Sequence, residues 1–402
     1  MKKTFTILLT IILVLSAFAA CANIEYDDGS SVASDAHSKD DNASADNNSS
    51  VAPNVSTDSN DVSVDNENSS VNSTPDESST FTDIADNGEE FNNYNNILVL
   101  GNRCMDVFSG TYDSFNYYSQ VIAQYKKDLG TDVNVLSMVV PTSNSIYLRN
   151  YVRDGVDFYQ KYGGNQADKL DYLDEKFEGT GVTSVNVYDA LYEHWDEQIY
   201  FRTDFHWTQL GAYYAAEKFA SVAGLPFKTL DSGAYTKKGK YNEDGTPQAF
   251  YGYYYSALGN PTVVKENPDE FFWFEYNEDY SVEYYDVETG KNLIATTDTC
   301  YLNVNHGPSW YMTFLGGDNR LAKISTNTNN GKTAVVFKDS FGNCFAPLLM
   351  SMYETIYVVD IRYYTGNSIS FCKDVGATDV VFAISSSSAC GHAKKINSMR
   401  TR

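Results

Sequence analysis

From Asn96 to Ile384, short runs rich in Val, Ile and Leu recur at intervals, and stretches with helical spacing fill the gaps. Asn96 to Leu100 leads into Gly101-Asn102-Arg103, Val133 to Val140 leads into Pro141-Thr142-Ser143, and a third run spans Ser184 to Tyr188. Between the first two, Tyr117 to Leu129 carries Val121, Ile122, Tyr125 and Leu129 at the spacing of one buried helix face. The alternation returns as a strand from Thr333 to Phe337, a helix from Asn343 to Tyr353, a strand from Ile356 to Val359, a short helix from Ser368 to Val375 and a strand from Val380 to Ile384. Continuous apolar strands separated by helices need a sheet covered on both faces. The expected fold is therefore α/β and doubly wound, with a mainly parallel sheet.

Between about residues 225 and 320 the texture changes to aromatic alternation, as in Phe250-Tyr251-Gly252-Tyr253-Tyr254-Tyr255, Phe271-Phe272-Trp273-Phe274 and Tyr280-Ser281-Val282-Glu283-Tyr284-Tyr285. Period-two patterning of this kind predicts antiparallel hairpins inserted into the α/β core. Tyr and Trp faces can stack on sugars, or they can pack the insertion's own core; the second reading covers most of them.

The N-terminus joins Lys2 and Lys3 to an apolar run from Phe5 to Leu15 and then to Ser16, Ala17, Ala19 and Ala20 before Cys21. The run is shorter than the ~20 residues of a membrane span, and its layout is that of a secretory signal, residues 1–21. From residue 22 to 91 the chain is mostly Ser, Asn, Asp, Glu, Val, Ala and Thr, with seventeen acidic residues against Lys39 alone; these supply two-thirds of the net charge of −24. Low hydrophobicity with like charge predicts a disordered tether, spanning on the order of 45 Å. The 311 residues from 92 to 402 suffice for one large domain carrying the insertion.

The acidic balance argues against nucleic-acid binding, which needs a basic face. No GxxxxGK, GxGxxG or HExxH pattern occurs, so neither a nucleotide cofactor nor a zinc site is expected. Cys104, Cys300, Cys344, Cys372 and Cys390 show no CxxC pair or zinc spacing and read mainly as buried thiols, with room for one disulfide.

Two segments carry chemistry. In Tyr200-Phe201-Arg202-Thr203-Asp204-Phe205-His206-Trp207-Thr208, Asp204 and His206 are two apart ahead of a helical run from Gln209 to Ala220. In extended backbone such residues share a face, so the carboxylate can orient the imidazole; alternatively Asp204 or Thr208 caps the helix and His206 packs under Trp207. In Lys338-Asp339-Ser340-Phe341-Gly342-Asn343, Ser340 follows an apolar strand and precedes a helix. Active sites of open α/β sheets lie at the carboxyl ends of strands, and amides at a helix start can stabilise an oxyanion; alternatively Ser340 is an N-cap. Together the segments supply the Ser, His and Asp that acyl transfer uses. His306 is the rival base. Arg362 and Arg103 each follow a strand and so are expected at the same edge, to hold an oxyanion or acidic sugar or to form ion pairs.

Asp204-Phe205-His206-Trp207-Thr208 resembles the motif that names the DHHW family and the Asp-x-His-Trp-Thr of alginate-type O-acetyltransferases. Gly101-Asn102-Arg103, Val140-Pro141-Thr142-Ser143, Gly316-Gly317-Asp318, Lys338 to Asn343 and Asp360-Ile361-Arg362-Tyr363-Tyr364 follow a similar order. The resemblance implies an SGNH hydrolase-like fold with permuted motif order, in which Ser340 is the nucleophile, His206 the base, Asp204 its partner and Asn343 an oxyanion donor. It also implies a polysaccharide or cell-wall glycan as partner, with a membrane acyltransferase as acetyl source. Phe205 stands where DHHW has its first His. Ala19-Ala20-Cys21 is similar to a bacterial lipobox, with Phe18 in place of the usual Leu, which implies a lipid on Cys21 and a place on the outer face of the membrane. The alternative functions are an esterase that removes acetyl groups from such a polysaccharide and a non-catalytic glycan-binding or envelope-organising lipoprotein.

Overall fold

The computed structural model describes residues 90–402 apart from 305–306. The expected signal, Cys21 and nearly all of the acidic tether lie outside the described residues, as does His306.

Eight strands form the central mixed sheet: Asn134–Val140 (β1), Val182–Ser184 (β2), Tyr280–Asp286 (β3), Leu293–Thr297 (β4), Arg320–Thr326 (β5), Thr333–Lys338 (β6), Thr355–Asp360 (β7) and Asp379–Ser385 (β8). Their spatial order is β4-β3-β5-β7-β6-β8-β1-β2. The five strands from β7 to β2 run parallel, whereas β5, β3 and β4 extend the sheet antiparallel. Nearly every residue of β1, β6 and β8 is buried, which is why these runs are continuously apolar rather than alternating.

The helix Tyr112–Leu129 begins at a capping box between Thr111 and Ser114 and buries Phe115, Tyr118, Val121, Ile122, Tyr125 and Leu129. Tyr125 lies edge-on to Phe382 of β8 at 4.9 Å between ring centres. Its hydroxyl reaches Ser368 Oγ at 2.7 Å and donates to the Ile396 carbonyl at 2.8 Å, tying in the helices Ser368–Asp374 and Ala393–Thr401. A second long helix, Gln209–Ala223, is capped by Thr208 and ends at Gly224 in the left-handed region. Its Phe219 packs edge-on against Phe345, just beyond Ser340.

Three expectations need correction. The run before Gly101 does not enter the central sheet: Phe91–Tyr94, Ile97–Leu100 and Arg103–Asp106 form a separate antiparallel meander. Asn95 and Asn96, at φ of 51° and 71°, supply the two-residue hairpin turn that turns the chain back on itself. The expected helix from Asn343 to Tyr353 stops after Gly342–Phe345 and continues as a 3₁₀ turn over Ala346–Leu349, because Pro347 has no N–H to donate to the carbonyl one turn back. The third strand is Val182–Ser184, and Tyr188 opens a helical turn instead.

The aromatic-rich segment supplies antiparallel strand pairs. Tyr235–Gly239 pairs with Phe272–Tyr276, and β3 and β4 form the outer edge of the central sheet. Phe250, Phe271 and Trp310 are buried and stack among one another and with Phe201, so they belong to one core shared with the α/β body. Cys104, Cys300, Cys344 and Cys372 are buried free thiols; burial pushes the thiols of Cys104 and Cys344 up to about 12.

Tyr125→Phe removes the donor to the buried Ile396 carbonyl and is expected to lower unfolding free energy by about 1–2 kcal/mol. Urea unfolding should show a lower midpoint with an unchanged slope.

Candidate active site

Ser340 leaves the carboxyl end of β6 in a turn that Asp339 holds from both sides. Asp339 Oδ1 accepts from the Phe341 amide at 3.0 Å. Its Oδ2 accepts from the Ser385 amide and hydroxyl, at 3.0 and 2.6 Å, at the end of β8. The following helical turn has no side-chain cap, so Ser340 is not serving as one. Its Oγ lies 2.8 Å from His206 Nε2.

His206 comes from the loop before the helix Gln209–Ala223, where Thr208 accepts from the Gly211 amide and is the cap. Asp204 is thus left to the imidazole, its Oδ1 2.6 Å from Nδ1 and 3.0 Å from the His206 amide. A carboxylate only accepts, so Nδ1 carries the proton and Nε2 is left to accept from the Ser340 hydroxyl. Asp204 Oδ2 accepts from the Tyr253 amide at 2.8 Å. Burial raises the pKa of this carboxyl, but the neighbouring imidazole and the amides of Tyr253 and His206 outweigh burial and hold it below the ordinary value.

The loop is anchored by a residue that sequence reasoning missed. Asp269 is buried and accepts from the Arg202 amide at 3.0 Å, the Thr203 amide at 2.8 Å and the Thr203 hydroxyl at 2.6 Å. Thr203 in turn receives the Gly252 amide on its Oγ1 and the Tyr254 amide on its carbonyl, both at 3.0 Å. Gly252 lies so close that a Cβ there would overlap the Cβ of Asp204. Trp207, fully buried, donates from Nε1 to the Phe341 carbonyl at 2.9 Å and joins the His206 loop to the Ser340 turn. His206 does not pack under Trp207; its ring faces Tyr311 at 3.7 Å and lies 4.0 Å from Phe205.

Behind Ser340 is a cluster of two cations and two carboxylates. Lys338 Nζ contacts Asp318 at 3.1 Å and Asp360 at 2.8 Å. Arg362 grips Asp360 through Nε and Nη2 at 2.9 and 2.7 Å and reaches Asp318 at 2.9 Å. Asn343 Nδ2 donates to Asp318 at 2.8 Å. Burial would raise the Asp318 carboxyl, but Lys338 and Arg362 hold it well below the usual carboxylate range. Arg362 thus takes the ion-pair alternative. Arg103 was misplaced by the expectation: it opens the third strand of the meander, buried, with its guanidinium 3.5 Å from the centre of the Tyr147 ring. The helix-start amides are engaged as well, Phe341 N by Asp339 Oδ1, Gly342 N by the Asp339 carbonyl and Asn343 N by the Ser340 carbonyl. Among the described residues no cluster of three His, Cys, Asp or Glu side chains could hold a metal ion. A carboxylate, imidazole and hydroxyl in this order are the arrangement that activates a hydroxyl as a nucleophile.

Gly252→Ala is expected to displace the Asp204 carboxylate and to lower unfolding free energy by about 1–3 kcal/mol in urea titrations, with far-UV circular dichroism unchanged. For pH, Asp204 and Asp318 are both depressed in the folded state, so unfolding takes up protons. Their stabilisation is complete above the ordinary carboxylate value of about 4 and is lost as pH falls below it. Melting curves between neutral and acid pH should steepen in that window. Asp318→Asn should be less stable at neutral pH and show a shallower acid decline.

No match was found among curated proteins. The chain is similar to a DHHW family protein from Eubacterium siraeum at 31% identity, over 76% of this chain and 96% of that one, with a TM-score of 0.66. It shares its fold with Bacillus cereus PatB1 carrying a sulfonyl adduct, at 17% identity over 75% and 96% of the two chains and a TM-score of 0.57. The family model described as DHHW protein matches residues 20–359, from Ala20 past both the Asp204-x-His206 segment and Ser340. The chain belongs to the DHHW family.

Proposed function

We propose that this is an exported acyl-transfer protein in which Ser340 is the nucleophile, His206 the general base and Asp204 the partner that orients the imidazole and stabilises the imidazolium it becomes. The observation that carries the reading is the unbroken chain from Asp204 Oδ1 through both ring nitrogens to Ser340 Oγ, with contacts of 2.6 and 2.8 Å. In the first half-reaction Nε2 takes the Oγ proton as Oγ attacks the carbonyl carbon of an acyl ester, and the carbonyl oxygen becomes an oxyanion. As the tetrahedral adduct collapses, the ester bond breaks and the imidazolium returns the proton to the departing alkoxide. An acyl-Ser340 remains. In the second half His206 deprotonates an acceptor hydroxyl, which attacks the acyl group, and Ser340 recovers its proton. With the Phe341 to Asn343 amides engaged and Arg362 held in its ion pairs, the second hydrogen of Asn343 Nδ2 is the donor we assign to the oxyanion or to a polar group of the acceptor, oriented by Asp318.

The likeness of Asp204-x-His206-Trp207-Thr208 to alginate-type O-acetyltransferases supports acetyl as the acyl group and a cell-envelope or secreted polysaccharide as acceptor or substrate. The same reading takes the fold as SGNH hydrolase-like with permuted order, since Asp204 and His206 precede Ser340. It also takes residues 1–21 as a lipoprotein signal, Cys21 as the lipidated residue, 22–91 as a tether and a membrane acyltransferase as the acetyl donor. The alternative of a glycan-binding lipoprotein without chemistry gives no reason for a serine hydroxyl to be held 2.8 Å from a carboxylate-paired imidazole.

The test is acetyl-ester turnover by the purified protein with and without an oligosaccharide acceptor. Ser340→Ala and His206→Ala should each lose about a thousand-fold or more. Acetylated acceptor selects transferase over esterase; turnover unchanged in both variants would sink the acyl-transfer reading.

A further inference from the structure

Tyr311 comes from the 3₁₀ segment Gly307–Thr313, late in the aromatic-rich stretch. Its ring lies face to face with the His206 imidazole, 3.7 Å between centroids and 10° between planes. The ring is held at its other edges: Phe314 packs against it at 5.4 Å and Phe201 at 6.5 Å, both near perpendicular. Its hydroxyl lies 3.2 Å from Cys344 Sγ, on the short helical turn that follows Ser340. Tyr311 is buried, so one rigid side chain spans from the base to the turn that carries the nucleophile.

Two physical consequences follow from this placement. Hydrogen bonds at Nδ1 and Nε2 fix the imidazole along the line joining its nitrogens and leave it free to tilt about that line. A parallel ring at van der Waals distance removes the tilt. The second consequence appears only when the base is protonated. The imidazolium would be a cation with little access to water, and the negative face of an aromatic ring attracts such a cation more strongly than it attracts the neutral imidazole. An interaction that strengthens as the proton moves lowers the barrier rather than merely tightening the resting state.

We propose that Tyr311 is a positioning residue for His206, holding the imidazole plane toward Ser340 and stabilising the imidazolium formed when Ser340 gives up its proton. The inference rests on the triad reading. It concerns the ring face, because the hydroxyl points away from the base to Cys344.

The test compares four forms of the full chain in acetyl-ester kinetics: the native protein, Tyr311→Phe, Tyr311→Leu and a protein with pentafluorophenylalanine at position 311. Fluorination keeps the ring's shape and reverses the charge of its face, so it leaves packing in place where Tyr311→Leu risks the fold. The expected result is near-native kcat for Tyr311→Phe, and for the fluorinated ring and Tyr311→Leu a fall in kcat of about three- to thirty-fold at unchanged KM. A fluorinated ring indistinguishable from Tyr311→Phe would overturn the proposal, as would a loss confined to KM. Ser340→Ala, run beside them, separates the two levels. If it keeps turnover, the triad reading fails; if it is inactive while the fluorinated ring matches Tyr311→Phe, only the role of Tyr311 fails.

Discussion

The Asp204 carboxylate is 4% exposed, and a charge removed from water must find its compensation inside the protein. It finds it in the imidazole and amide of His206 and in the amide of Tyr253. Those donors come from two segments far apart in the chain, so the carboxylate holds them together. Gly252 must lack a side chain for the second segment to come close enough. Asp269 must occupy the amides of Arg202 and Thr203 for the first segment to keep its shape. The aromatic-rich stretch is therefore a structural part of the site.

The nucleophile side obeys the same electrostatic rule in a different form. Parallel strands β6, β7 and β8 end together and bring Lys338, Asp360 and Asp339 to one edge. Buried Lys338 and half-buried Arg362 are matched there by two carboxylates, with Asp318 arriving from the loop before β5. These ion pairs, together with the hydrogen bonds that Asp339 accepts, hold the Ser340 turn in place. Trp207 then links the two halves through the Phe341 carbonyl, so a shift of the His206 loop moves the Ser340 turn with it.

Much of this was legible in the sequence where the signal is local. The apolar runs at β1, β6, β7 and β8 are long and continuous because both faces are covered, and the Asp204-x-His206 spacing and the strand-end serine can be read by eye. The run from Asn96 to Leu100 looks like a parallel strand, but the two-residue Asn95-Asn96 turn makes it part of a hairpin and takes Arg103 away from the edge of the central sheet. Pro347 ends the helix inside a run that otherwise has helical spacing. Asp269, Gly252 and Tyr311 were missed for a different reason. Asp269 meets the base loop 66 residues away in the chain, and Gly252 acts through its missing side chain 49 residues from Thr203. Tyr311 is one aromatic among many in a stretch whose composition already explained it. No periodicity reports such contacts.

The most direct measurement is the covalent state of the protein after brief exposure to an activated acetyl ester, read by intact mass and peptide mapping in the native chain and in His206→Ala. A single acetyl group is expected on the peptide that carries Ser340, formed rapidly in the native chain and hardly at all without His206. Acetyl scattered over surface lysines, or arriving at Ser340 equally fast in both proteins, would contradict it.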